Sequence, residues 1–211
     1  GFFGLAELMF ESVIDARDRY MKPGGHMLPR TLRLCVAPVD DSHVHQDLGL
    51  GPWERPVYGL DYSRLIEAEV QSLITAACDL KPASLLGTPA DVLDIDLDHA
   101  CADDFFFTTA ATLLIERAGT VHGFGGWFEV DLTPDVELSC SPMVPPTHWR
   151  QSFFPVRPFS VEPGDRIRLA MNAERTEAGD QRLPLYFVDG ELVRDGKVLH
   201  RFFYRHHGSF E

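Results

Sequence analysis

The chain has 211 residues, of which 45% are hydrophobic, enough to bury the core of one large domain. Its 32 acidic residues outnumber 19 basic ones and give a formal net charge of -13, which disfavours nucleic acid and anionic membranes as partners and favours a cationic partner. No apolar run approaches the length of a membrane-spanning helix.

The N-terminal segment is predicted to be an amphipathic helix. Apolar residues recur at helical spacing from Phe3 to Tyr20, and the sequence KPGG at residues 22–25 ends the pattern. Acidic residues interrupt the segment and no basic stretch precedes it, so it does not have the pattern of a signal peptide. Four widely spaced cysteines without a CxxC pair indicate reduced thiols and an intracellular setting.

The next segment mixes short strands, a loop and a second helix. Residues 26–39 read as two short strands around Pro29, and residues 41–56 read as a loop rich in Gly, Asp and His. Residues 64–80 have the apolar spacing of an amphipathic helix that ends at Lys81-Pro82. The apolar stripe of this helix is wide enough to predict that it covers a partner. It comprises Leu65, Ile66, Val70, Leu73, Ile74 and Ala77.

The remainder of the chain has the pattern of a β-domain. In residues 92–98 three apolar side chains alternate strictly with three aspartates, as in a strand with one buried face. Further strands are predicted at residues 104–115, 120–133, 150–157, 165–175, 183–188, 191–196 and 197–206. Short strands at this spacing predict a mainly β fold, an antiparallel barrel or sandwich.

Several motifs suggest cofactor chemistry but lack the residues it requires. The aspartates of residues 94–98 are not followed by the Gly and Glu of a calcium loop. The histidine pairs in residues 43–45 and 206–207 have no further ligands at zinc spacing. GFGG at residues 123–126 lies in a predicted strand with no helix behind it to bind phosphate. No metal site is therefore predicted.

The segment SPMVPPTHWRQSFFPV, residues 141–156, has an unusual composition for a loop. Two prolines restrict the backbone immediately before Thr147, His148 and Trp149, and a strand follows. This segment, with FSVEPGDRI downstream, resembles the Thr-His-Trp loop of protein arginine methyltransferases. Residues 1–29 are similar to the family's segment that carries the second glutamate of its double-glutamate loop, and residues 53–63 to the stretch before its dimerisation arm.

The resemblance implies a set of site residues. Glu7 corresponds to the second glutamate, one of two carboxylates that grip the substrate guanidinium, and Thr147, His148 and Trp149 close the substrate pocket from the barrel side. Met9 matches a methionine that crowds the methylated nitrogen in members that make asymmetric dimethylarginine, which implies a type I enzyme. The implied catalytic residues are Glu7 and His148. The implied cofactor is S-adenosylmethionine, without a metal, and the implied substrates are Arg- and Gly-rich proteins.

The resemblance also implies a division of the chain. Residues 1–29 would continue from a Rossmann-like methyltransferase domain, 30–62 would form the first barrel strands, 63–88 a helical dimerisation arm, and 89–211 the substrate-binding barrel. The family's first glutamate and its glycine-rich cofactor motif have no counterpart in the sequence. We therefore expect this chain alone to bind no cofactor and to be inactive, and we expect a homodimer in the cytoplasm or nucleus.

Three alternatives remain open at this point. The chain could be an inactive acidic binding or dimerisation subunit of the same family, or an unrelated jelly-roll binding module. A weaker alternative is a carbohydrate-binding sandwich with Trp127 and Trp149 as platforms.

Overall fold

The computed structural model describes residues 2–70, 73–176 and 182–208, and strands make up most of its regular structure. The strands are β1 Thr31–Val39, β2 Leu73–Ile74, β3 Ala76–Cys78, β4 Ala90–Asp96, β5 Thr108–Leu114, β6 Gly119–Thr133, β7 Val136–Ser139, β8 Gln151–Val161, β9 Arg166–Glu174, β10 Leu185–Arg194 and β11 Lys197–His207. The helices are α1 Met9–Tyr20, α2 Ser42–Leu48, α3 Gly51–Glu54 and α4 Ile66–Glu69, and short 3-10 turns lie at Phe2–Gly4, Ala6–Leu8, Ser63–Leu65, Pro82–Ser84 and Ala102–Phe105.

The strands form two sheets that close into a barrel. One sheet has the order β3-β8-β6-β1-β4, with β7 paired to β6, and the other has the order β2-β11-β10-β9-β5. The strand pairs are antiparallel except β2 with β11, which is parallel. Strand β4 lies beside β5 and β2 lies beside β8, so the sheets meet at both edges. The predicted antiparallel barrel is confirmed, and the two short strands predicted at 183–188 and 191–196 are one continuous strand, β10.

The barrel interior is filled by aromatic side chains from both sheets. Phe154 of β8 meets Tyr186 of β10 edge to face, with ring centroids 5.2 Å apart. Phe3, from the N-terminal turn, lies against both rings. A Cβ at Gly126 would lie 2.7 Å from the Phe3 ring and 2.8 Å from the Phe154 ring. Glycine at this position of the GFGG segment is therefore explained by the close approach of the two rings and not by phosphate binding.

The first part of the predicted N-terminal helix is not helical. Helix α1 begins at Met9, and Phe3, Glu7 and Leu8 all have positive φ. The cause is packing, because Phe3, Leu5, Ala6 and Leu8 are all buried and no single face of a helix carries that spacing. Tertiary packing thus overrides the helical pattern before Met9.

The region between β1 and β4 differs most from the sequence-based expectation. The prediction of two strands in residues 26–39 is wrong, because only β1 forms and Met27 donates its N–H to the Asp98 carboxylate at 2.6 Å instead of joining a sheet. The prediction of a loop over 41–56 is also wrong. Asp41 caps α2 by accepting hydrogen bonds from the N–H groups of His43 and Val44, and α3 follows.

The prediction of one helix over 64–80 is wrong beyond Glu69. Residues Leu73–Ile74 and Ala76–Cys78 are strands, paired with β11 and β8 respectively. Backbone pairing with two distant strands replaces the helix, and Leu73 and Val70 are buried in the barrel core. In the insertion between β1 and β4, the described residues are helical only in α2, α3, α4 and the 3-10 turns at Ser63–Leu65 and Pro82–Ser84.

All four cysteines are free thiols, and three of them are buried: Cys35, Cys78 and Cys140. Burial raises the pKa of Cys78 to about 12 and also raises those of the other two, so these three thiols stay protonated. Cys101 is exposed. None of the helices within the described ranges has the length and apolar character that a membrane crossing requires.

Candidate functional site

The Thr-His-Trp segment forms a tight turn at the entrance of β8. The N–H of Arg150 donates to the carbonyl of Thr147 at 3.3 Å, so His148 and Trp149 occupy the two central positions of the turn. Arg150 closes the turn with a φ of 53°, in the left-handed region that non-glycine residues seldom adopt. Adjacent side chains at the centre of one turn point in different directions, and these two do so.

Trp149 packs inward while His148 projects outward. The indole of Trp149 is partly buried against Phe128 of β6, edge to face, with ring centroids 5.6 Å apart. The imidazole of His148 is exposed, and its ring centroid lies 6.0 Å from that of Trp149. The loop therefore offers a fixed aromatic wall and, beside it, a hydrogen-bonding ring in contact with solvent.

Hydrogen bonds at its base hold the loop closed. The buried amide of Gln151 donates from Nε2 to the carbonyl of Cys140 at 2.7 Å, and its Oε1 accepts from the N–H of Leu80 at 2.8 Å. The Cys140 thiol lies 3.1 Å from the Thr147 hydroxyl, so Thr147 ties the turn to the loop's first residue. Thr147 therefore holds the loop in place from within.

Trp149 and Met9 line the same cavity, of about 280 Å³, between the turn and the N-terminal segment. Its other walls are apolar, with Phe10 and Val13 of α1, Phe105 and Phe128 among them. Met9 is 55% exposed although it begins a helix, so its side chain is available at the cavity rim. Two residues 140 positions apart in the chain, both proposed from the sequence, thus meet in the structure.

Glu7 lies two residues before Met9 but does not line this cavity. Its side chain is exposed, and the described residues provide it with neither a hydrogen bond nor an ion pair. Its backbone has φ 72° and the following Leu8 has φ 49°, while the Leu8 side chain is buried. A buried neighbour and two left-handed residues in succession fix the backbone from which the free carboxylate projects, which is typical of functional sites.

The described residues contain no group of three or more His, Cys, Asp or Glu side chains that could hold a metal ion. His45, singled out for its motif, is buried and contacts the Glu54 carboxylate at 3.3 Å, while His206 is buried and hydrogen-bonds to a backbone carbonyl at 2.8 Å. The residues identified from the sequence supply a carboxylate at Glu7, an imidazole at His148 and an aromatic wall at Trp149.

Two parts of the site were not anticipated from the sequence. Phe128 supports the Trp149 indole, and Asp79 binds the guanidinium of Arg150 at 2.9 and 2.8 Å. Asp79 is 71 residues from Arg150 in the chain. No local pattern signals such a contact, and only the register of β3 against β8 brings it about.

The sequence of this chain matches a family model and several known proteins. The family model of the arginine methyltransferase oligomerization subdomain matches residues 31–188. Protein arginine N-methyltransferase PRMT10 of Arabidopsis thaliana is 32% identical over 206 residues, covering 84% of this chain and 54% of the relative. Protein arginine N-methyltransferase 1 of Schizosaccharomyces pombe is 26% identical over 189 residues, covering 88% of this chain and 54% of the relative. The chain spans about half the length of the curated relatives it matches.

Solved structures share the fold. A Trypanosoma brucei PRMT1 enzyme-prozyme heterotetrameric complex with AdoHcy superposes with a TM-score of 0.87 at 21% identity, covering 99% of this chain and 66% of that one. The structure of Arabidopsis thaliana protein arginine methyltransferase 10 superposes with a TM-score of 0.82 at 26% identity, covering 98% of this chain and 68% of that one. The likeness extends over the barrel and the N-terminal segment alike.

Proposed function

Because the chain belongs to the protein arginine methyltransferase family, whose barrel portion it matches, we propose that it binds arginine side chains of protein substrates for transfer of a methyl group to a guanidino nitrogen. The observation that carries the proposal is the cavity shared by Met9 and Trp149, with the exposed Glu7 carboxylate two residues from Met9 along the chain. An aromatic face and a carboxylate are the two kinds of group that recognise a planar cation.

Glu7 is proposed to bind and orient the substrate. The guanidinium of arginine is protonated at physiological pH, with a pKa of about 12 or more, and its charge is delocalised over three nitrogens. A carboxylate that accepts two parallel N–H bonds localises this charge and aims one terminal nitrogen. Glu7 has no competing partner among the described residues, so both oxygens of its exposed carboxylate are available for that task.

His148 and Trp149 are proposed to complete the pocket from the barrel side. The Trp149 indole, held by Phe128, offers a rigid face to the guanidinium plane. The exposed His148 imidazole can accept the proton that the guanidinium releases when a nitrogen gains a methyl group. Thr147 acts by fixing the turn through its contact with Cys140.

S-adenosylmethionine is the proposed cofactor, and it would supply the methyl group from its sulfonium centre. The Trypanosoma brucei complex was solved with AdoHcy, the demethylated form of that cofactor. We further propose that the cofactor is bound by a domain other than this barrel and that this chain by itself is inactive. Met9, exposed at the cavity rim, is proposed to crowd the methylated nitrogen, as expected of an enzyme that makes asymmetric dimethylarginine, the type I product.

The insertion between β1 and β4 is proposed to mediate homodimerisation. In the expected contact, the apolar stripe of residues 64–80, Val70 and Leu73 are buried in the barrel, whereas Leu65 and Ile74 are exposed. Further exposed apolar side chains lie just before it, where Tyr58 is fully exposed and Leu60 is 58% exposed. The proposed dimer contact is accordingly residues 57–65. Intracellular localisation, cytoplasmic or nuclear, remains part of this proposal.

The test is methylation of an Arg/Gly-repeat peptide by the full-length protein, followed by mass spectrometry. We expect Glu7→Gln to lower kcat/KM about a thousandfold, because the amide keeps the shape of the carboxylate and loses its charge. Glu11→Gln is the matched control, since Glu11 lies four residues along and pairs with Arg175 at the surface. A loss of only a few-fold for Glu7→Gln would remove this residue from the site. Peptide binding without any methylation by the parent protein would favour the inactive-subunit alternative.

A further inference from the structure

The exit of the Thr-His-Trp turn is fastened by an ion pair to a different part of the chain. Arg150 donates from Nε and Nη2 to the two oxygens of Asp79, at 2.9 and 2.8 Å, in a bidentate arrangement. This is the strongest geometry available to an arginine and a carboxylate, because two parallel bonds fix the plane of the guanidinium as well as its position. The residue so held is the one whose left-handed backbone closes the turn.

Asp79 is itself fixed on both sides. Cys78 pairs with Gln151 in the ladder between β3 and β8, and the N–H of Leu80 donates to the side chain of Gln151. The three residues 78–80 thus contact the two residues that leave the turn, Arg150 and Gln151. They follow α2, α3 and α4 within the insertion between β1 and β4, so the insertion and the turn are joined at this point.

The ion pair is exposed to solvent, which limits its contribution to the stability of the fold. The side chains of Arg150 and Asp79 are 41% and 62% exposed, and ion pairs at such positions add little to the free energy of folding. The backbone of Arg150, by contrast, occupies a region that is costly for any residue with a Cβ. A contact that adds little to stability but fixes a strained residue acts mainly on local geometry.

We propose that Asp79 is a positioning residue: its bidentate ion pair with Arg150 holds the turn that presents His148 and Trp149 to the substrate. The proposal rests on the proposed function for its effect on turnover, whereas its effect on the position of Trp149 does not depend on it. Asp79 touches no substrate in this role and acts only through the backbone of Arg150.

The experiment compares Asp79→Ala with a matched control. Glu67→Ala removes the ion pair between Glu67 and Arg157, which also links the insertion to β8 and has similar exposure, at 77% and 44%. We expect Asp79→Ala to lower kcat for an Arg/Gly-repeat peptide at least about tenfold, because small displacements of positioned groups have effects of this size, with the KM for S-adenosylmethionine unchanged. Glu67→Ala should leave both constants unchanged. Asp79→Glu, which keeps the carboxylate, should recover most of the lost kcat.

A second readout needs no turnover. The indole N–H resonance of Trp149, assigned with Trp149→Phe, should shift or broaden in Asp79→Ala, while the indoles of Trp53 and Trp127 stay in place. If Asp79→Ala is poorly folded, Arg150→Gln breaks the same pair from the other side. An unchanged Trp149 resonance, or an equal change in Glu67→Ala, would overturn the proposal. A parent protein that methylates nothing would count against the proposed function, and the indole spectrum would still decide the role of Asp79.

Discussion

His206, a buried residue of strand β11, should make the stability of the protein depend on pH. Its side chain is completely buried, and Nε2 donates to the carbonyl of Pro155 at 2.8 Å. Burial lowers the pKa of His206 to about 4, because no charge can be solvated in that position. The perturbation that tests this is His206→Gln, which keeps a donor near Pro155 and removes the titration.

The magnitude follows from the difference between folded and unfolded pKa values. An unfolded histidine has a pKa of about 6.5, so between that value and about 4 the unfolded chain binds a proton that the folded chain does not. Stability contributed by the neutral imidazole is therefore fully present above about pH 6.5 and is lost as the pH falls toward 4. At about 1.4 kcal/mol for each pKa unit, the loss is roughly 3 kcal/mol over this range.

Urea denaturation at about pH 7 and about pH 4.5 measures the effect. We expect the parent protein to lose about 2 to 3 kcal/mol more unfolding free energy across this interval than His206→Gln does. Burial also lowers the pKa of His122, His200 and His207, and these residues are common to both proteins, so the difference isolates His206. Equal losses in the two proteins would mean that His206 does not contribute to the pH dependence of stability.

Two further predictions concern the candidate site and the dimer contact. His148→Ala and Trp149→Ala should each lower kcat/KM by roughly 2 to 4 kcal/mol of transition-state stabilisation, measured by steady-state kinetics. Trp149→Ala should also destabilise the fold by about 2 kcal/mol, less than the roughly 3 to 5 kcal/mol typical of a fully buried aromatic, because the indole is only partly buried. His148→Ala should change the free energy of unfolding by less than about 0.5 kcal/mol, because the imidazole is exposed. Normal turnover by the folded fraction of Trp149→Ala would make the loop a scaffold only. The double substitution Tyr58→Ala with Leu60→Ser removes two highly exposed apolar side chains of the insertion and should shift the full-length protein from dimer to monomer in sedimentation velocity. An unchanged dimer would place the contact elsewhere.

The β-domain could be predicted from the sequence because its signal is local. Leu93, Ile95 and Leu97 alternate with aspartates, and the structure places Ile95 and Leu97 in the buried core and Asp94 at the surface. Period-two alternation requires only one buried face, whichever strand lies alongside. The same holds for β6, β8, β9 and β11, whose predicted positions agree with the structure to within a few residues.

The insertion could not be predicted in the same way, because distant residues decide its structure. Leu73 and Ile74 have neighbours at helical spacing, yet they pair with His206 and His207 at the other end of the chain. The start of α2 was, by contrast, readable, since Asp41 is a favoured capping residue placed before Ser42. The Gly- and His-rich composition of residues 41–56 nevertheless led to the prediction of a loop.

Some features of the candidate site could be predicted from the sequence and others could not. The Thr-His-Trp motif identified the turn, because its residues are contiguous and the resemblance is specific. The conformation of Glu7 was not predictable, since a positive φ is expected at glycine and here results from the burial of Leu8. The ion pair of Asp79 with Arg150 was equally inaccessible, because it depends on the register of two strands.

The four cysteines differ in their accessibility to solvent, which makes one of them suitable for selective labelling. Cys101 is the one exposed thiol, and the 3-10 turn that begins directly after it ends with Phe105, which lines the cavity of Met9 and Trp149. A maleimide dye should therefore attach at a single position without any engineering of the chain, while the protonated, buried thiols stay unmodified. Such a dye would report, by its emission, when a peptide enters the neighbouring cavity.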